Sequence, residues 1–207
     1  MRRTLTNVLI LAIVTGAAVH AVTFKSIWKS PEAGTIGFAG KKVAALVISK
    51  DEALRISAEE ALARQLEAIG VQGVAAYRMI PREEMQDKDK AKAWFEKIGV
   101  EGVVAMRLVS ADTVKSYSPA MWSSGYYTSL WGYYGYTWGA VWDPGYLRED
   151  RVVTVETLVF SVPRDQLLWA ALSETTNPKS MDAFMKDLVT KAVKEMTKAG
   201  LTAKSRK

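Results

Sequence analysis

The chain has 207 residues, 49% hydrophobic and 24% charged, enough for one domain with a substantial core and unlike a disordered segment. Its formal charge of +6 is gathered largely at the ends, in Arg2, Arg3, Lys198, Lys204, Arg206 and Lys207; along the helices Lys and Glu alternate, which speaks against a nucleic-acid binder. There is no Cys, and the single His, His20, lies near the amino end, so the rest of the chain has no imidazole base, thiolate nucleophile or Cys/His metal site.

Arg2 and Arg3, the apolar stretch Val8 to Val19 and the small residues around Val19-His20-Ala21 have the layout of a secretory signal. The stretch is 12 residues long, whereas crossing a bilayer takes roughly 20. Residues 1–21 are therefore expected to be a signal peptide cleaved after Ala21, not a retained anchor, and the product is expected in the periplasm. Without Cys it is no Cys-anchored lipoprotein. The segment 22–40 carries Pro31, Gly34, Gly37 and Gly40 and reads as an extended lead-in that is not a core element.

The α/β domain is expected over 41–203, followed by a basic tail, 204–207. Lys41 to Ser49 is a short apolar run, expected to be a buried strand. Ser57-Ala-Glu-Glu60 has the form of a capping box and predicts a helix that buries Leu62, Leu66 and Ile69 and stops at Gly70. A repeat follows: Ile69-Gly-Val-Gln-Gly-Val is echoed 29 residues later by Ile98-Gly-Val-Glu-Gly-Val, each copy a helix end, a glycine stop and an apolar strand. Between the copies a helix turns Ala91, Trp94, Phe95 and Ile98 inward. This is the βαβαβ pattern of a largely parallel sheet, with both helices on one face unless the strand order reverses.

Asp150 to Val162 and Leu167 to Ser173 predict two further strands joined by a hairpin turn at Pro163-Arg-Asp-Gln166. After Pro178 and Ser180 a closing helix carries the stripe Met181, Phe184, Met185, Leu188, Ala192, Val193 and Met196. The expected fold is α/β (α+β): a single mixed sheet with helices packed on it, in the order β-α-β-α-β-β-β-α.

Between the third and fourth strands of this scheme lies an aromatic insert, 117–146. It holds seven of the eight tyrosines and four of the seven tryptophans, with five glycines and one internal charge, Asp143. Long connections of this kind are often functional. Three readings stand: a private mini-core, as an extended hairpin laid over the sheet, since a packed helix would not be expected to carry five glycines; an interaction surface for a protein partner or second copy; and docking to a membrane interface or to sugar rings. The rings assigned to binding are Trp122, Tyr126, Tyr127, Trp131, Tyr133, Tyr134, Tyr136, Trp138 and Trp142.

Catalytic signatures are thin. Ser26-Ile-Trp-Lys29 has the spacing of a Ser-x-x-Lys nucleophile but none of its companion motifs. The acid pairs Glu59/Glu60, Glu83/Glu84 and Glu149/Asp150 read as caps and solvated starts. Ser173-Glu-Thr-Thr-Asn-Pro178 reads as a junction that caps the last helix. No cofactor, metal, nucleic acid or small-molecule ligand is expected.

Arg55-Ile-Ser-Ala-Glu-Glu-Ala-Leu62, the strand Val100 to Val109, Val155-Glu-Thr-Leu-Val159, Leu168-Trp169 and Ser173 to Pro178 resemble a group of bacterial periplasmic proteins and lipoproteins. Their domain is similar to the amino-terminal domain of TolB and to CsgG. The resemblance implies an assembly or interaction module of the cell envelope, not a catalyst, and supplies no site residues.

Overall fold

The computed structural model describes residues 22–111, 128–139, 152–176 and 178–202. They form a mixed α+β fold: one six-stranded sheet with four helices packed on it. The strands are β1 (Thr23–Lys29), β2 (Lys42–Ile48), β3 (Gln72–Ala75), β4 (Gly102–Ser110), β5 (Val152–Ser161) and β6 (Gln166–Thr176). The helices are α1 (Glu52–Glu67), α2 (Lys88–Ile98), α3 (Leu130–Gly139) and α4 (Met181–Lys198). Strand order is β1-β6-β5-β4-β2-β3, with β2 parallel to both neighbours and the remaining pairs antiparallel.

The strand order does reverse. From β2 the chain crosses through α1 to β3, then returns through α2 past β2 to β4. Two right-handed crossovers running in opposite directions must lie on opposite faces. Accordingly α1 and α4 cover one face, packing Leu62, Leu66, Phe184 and Leu188 on Val43, Ala45 and Val47. On the other face, α2 and α3 pack Phe95, Tyr133 and Tyr134 on Ala44, Leu46 and Ile48. The run Lys-Val-Ala-Ala-Leu-Val-Ile is apolar without alternation because both sides of β2 are buried.

The lead-in requires correction. Residues 23–29 are an edge strand, antiparallel to β6, and Ala33, Ile36 and Phe38 beyond it are buried in the core. Its proline and glycines mark the turn after the strand, and an edge strand with Ile27 and Trp28 exposed carries no clean alternation to read. The helix start is also corrected. α1 opens at Glu52, capped by Asp51, whose carboxylate accepts from the Leu54 N–H at 3.0 Å, so Ser57 is one turn inside the helix.

The two repeat copies share glycines but not strands. Gly70 and Gly99 end their helices in the left-handed region, at φ 79° and 74°. Gly73 and Gly102 are there for close approach: a Cβ at Gly73 would sit 2.3 Å from the Ala63 carbonyl oxygen, and one at Gly102 would sit 2.4 Å from the Phe38 ring. We expect Gly73→Ala to cost about 3 kcal/mol, since the obstacle is helix backbone and cannot step aside; a urea titration measures it, and a cost under about 1 kcal/mol would contradict the packing.

β4 then runs nine residues and β3 only four. The difference is made by Glu59 of α1, which is fully buried and takes the Tyr77 N–H at 2.8 Å and the Val47 N–H at 3.1 Å. The carboxylate captures the donor that would have continued β3 and turns the chain into a 3₁₀ turn at Ala76–Arg78. Burial pushes the Glu59 carboxyl up to about 7, against the opposing pull of those two N–H groups and Arg55. A folded-state pKa raised above the unfolded one means stability is fully present below about 4.5 and is lost as pH rises to about 7. The loss is about 3 kcal/mol by linkage. Urea midpoints at pH 5 and pH 8 should reveal it, and Glu59→Gln should flatten the difference while costing stability of its own, because its amide would oppose one N–H donor with another.

Candidate functional site

In an open sheet of this kind a crevice forms beyond the carboxyl ends of the strands where successive crossovers diverge. Here that point is the end of β2, and a cleft of about 250 Å³ lies there, lined by Ser49, Lys50, Glu52, Arg55, Arg82, Met85, Gln86 and Trp138. Its walls follow from local structure. The Ser49 hydroxyl accepts the Asp51 N–H at 3.1 Å and shapes the turn from β2 into α1. One turn along, Arg55 points its guanidinium to the cleft floor. The opposite wall is the 3₁₀ turn Arg82–Glu84 with Met85 and Gln86.

Arg55 is the unusual group. Its side chain is 7% exposed, and it donates to the Met85 sulfur at 3.0 Å, a weak acceptor. The Glu59 and Glu52 carboxylates stand farther off, at 3.6 and 3.8 Å. At the rim Arg82 pairs with Glu52 at 2.8 Å and Lys50 is exposed. Among the described residues the lining thus holds three cations and one carboxylate.

The aromatic insert meets this cleft through α3. Trp131, Tyr133 and Tyr134 are buried: Trp131 packs on Phe95 at 5.9 Å, Tyr133 on Phe160 at 5.5 Å, and Tyr134 stands edge-on to Phe95 at 6.5 Å. These three rings are core, but a helix carries them and not the extended hairpin expected from the glycines: Gly132 and Gly135 lie within α3. The Tyr134 hydroxyl donates to the Met85 carbonyl, tying α3 to the cleft wall, and burial raises the phenol pKa well above its usual range. Trp138 is half-buried and lines the cleft itself. Its indole N–H is buried, with no acceptor in hydrogen-bond geometry among the described residues. Tyr136 falls within α3, its side chain outside those described, and Trp122, Tyr126, Tyr127 and Trp142 lie outside the described residues.

The other sequence candidates resolve into structure. Ser26 and Lys29 are three apart on a strand and face opposite sides. Glu60 pairs with Arg78 at 2.8 Å and accepts from the Tyr77 hydroxyl at 2.7 Å instead of closing a capping box. Glu84 accepts from the Trp94 indole at 2.6 Å, and Glu149 and Asp150 lie outside the described residues. At the β6–α4 junction Ser173 donates to the Val155 carbonyl, Glu174 pairs with Lys25, and Ser180 caps α4. Lys50, Arg55 and Arg82 were not singled out from the sequence; the usable signal was their position around the end of the first parallel strand and the helix that follows it. Among the described residues no group of acids, His or Cys is arranged to hold a metal, and no helix is long and apolar enough to cross a membrane.

No protein-family model matches the chain, and no curated protein matches it in sequence. Among solved structures it is similar to the PelC dodecamer from Paraburkholderia phytofirmans, with a TM-score of 0.48 and 14% identity over 89% of this chain and 99% of that one. A point variant of the same PelC dodecamer gives a TM-score of 0.45 and 16% identity over 85% of this chain and 96% of that one.

Proposed function

We propose that the chain is an exported, non-catalytic binding module of the bacterial cell envelope, which receives an acidic group of a partner protein in the cleft beyond β2. The observation that carries this reading is the junction of Trp138, from the aromatic insert, with Lys50, Arg55 and Arg82. Three cations gathered beside an aromatic wall suit a carboxylate on a side chain that also offers apolar surface. The insert then has two parts to play: Trp131, Tyr133 and Tyr134 anchor it on the sheet, and Trp138 faces the ligand. The export layout of residues 1–21 and the scarcity of nucleophiles and bases support the envelope and non-catalytic parts of the reading.

A photo-reactive residue placed at Gln86, on the cleft, and another at Lys194, on the exposed side of α4, test it in cells. The expected result is an envelope-protein adduct from Gln86 alone, weakened by Arg82→Glu. Equal adducts from both positions, or a chain found in the cytoplasm, would sink the proposal.

A second reading has its own observation. β1 is an edge strand, and Ile27 and Trp28 stand 48% and 39% exposed on it. Such an edge offers strand pairing to another chain, and a second copy of this protein is the alternative occupant. Sedimentation at micromolar concentration checks it: self-association abolished by Trp28→Lys favours this reading, and a monomer removes it.

A further inference from the structure

β1 begins one residue after Val22, and Val22 directly follows the expected cleavage point at Ala21. Strand entries usually give their first polar groups to water, but Val22 is only 6% exposed and both its backbone groups are held by α4. Its nitrogen lies 3.2 Å from the Asp187 carboxylate, and its carbonyl accepts from the Lys191 ammonium at 3.0 Å. Asp187 and Lys191 are one helical turn apart and pair with each other at 3.1 Å. One ion pair therefore grips one residue by its nitrogen and its carbonyl, with the cation at the carbonyl and the anion at the nitrogen.

That polarity fits a chain end better than a peptide unit. In the uncut chain the Val22 nitrogen is a neutral amide with a single proton. Hydrolysis of the Ala21–Val22 bond places the water oxygen on Ala21 as a carboxylate and leaves an amine on Val22, which is protonated to an ammonium. The same 3.2 Å contact then becomes a charge-assisted hydrogen bond, about twice as strong as its neutral counterpart. We infer that the Asp187–Lys191 pair is a receptor for the processed amino terminus: removal of the leader after Ala21 seats the new Val22 ammonium on Asp187 and fastens β1 to the sheet edge. This rests on the export reading above, and it makes the finished edge of the sheet a product of maturation.

Two measurements test it. The full chain is expressed in a bacterium with a periplasm, and the intact mass of the product is recorded in each fraction. The expected species starts at Val22. Separately, thermal unfolding is compared for chains starting at Val22 and at Val19, each with native Asp187 and with Asp187→Asn. The Val22 form should melt about 3 °C higher than the Val19 form, and Asp187→Asn should erase that gap. An exported chain that starts elsewhere, or a gap that survives Asp187→Asn, overturns the receptor while leaving export intact. A chain kept whole in the cytoplasm overturns the export reading, and the processing step with it.

Discussion

Replacing Glu156 by Ala should cost about 3–5 kcal/mol, because it removes one member of a buried ion pair. Arg107 on β4 and Glu156 on β5 are directly paired in the antiparallel register, and Arg107 donates from Nε at 3.1 Å and from a terminal nitrogen at 2.9 Å to one carboxylate oxygen. Their side chains are 6% and 0% exposed, so water does not compensate when one partner is removed. The pair lies on the same face of the sheet as Val103 and Ala105. Removing both charges together, as Arg107→Met with Glu156→Leu, should cost far less than Glu156→Ala alone, since no ion is then left desolvated. Urea titrations of the three variants check this. A single-variant cost below about 1 kcal/mol, or a double variant as damaged as the single, would contradict it.

Two neighbouring substitutions in α3 should move stability in opposite directions. Tyr133 is fully buried against Phe160, and Tyr133→Ala should cost about 3–5 kcal/mol, the range for deleting a large aromatic from a core. Gly135, two residues on, is exposed, and among the described residues a Cβ there meets only the Lys88 side chain at an ordinary 3.7 Å. Gly135→Ala should therefore stabilise by about 0.5–1 kcal/mol through helix propensity alone. Thermal melts of the two variants decide whether the insert is part of the fold. If Tyr133→Ala were neutral, α3 would not be a core element, and the wall it gives the cleft through Tyr134 and Trp138 would fall with it.

Strands that lie inside the sheet were legible in the sequence because burial on both faces leaves a continuous apolar run, as in Lys42–Ile48. α4 was legible because its apolar stripe is set by helical period and its cap by Ser180. The aromatic concentration marked the insert, but composition does not distinguish a ring that packs on Phe160 from one that lines a cleft. Both need the same residue types, and only the position of α3 over α2 separates Tyr133 from Trp138. The site cations were hidden for a related reason. Lys50, Arg55 and Arg82 are scattered among the chain's 28 basic residues, and what gathers them is a strand order that no local pattern records.

The sequence by itself determined the class of the fold, the positions of most elements and the absence of Cys and of any His beyond His20, because these follow from residue type and periodicity. Tertiary structure decided which copy of the repeat became a long strand and where the amino-terminal segment went. The Gly-Val-x-Gly-Val phrase is the same in both places, yet β3 stops at Ala75 because a carboxylate 18 residues earlier takes the Tyr77 N–H. Residues 23–29 become a strand because β6 offers an open edge and Asp187 and Lys191, more than 160 residues away, hold Val22 just before it. Both outcomes depend on which backbone donors and acceptors are satisfied by distant partners, a quantity that exists only once the chain has closed on itself.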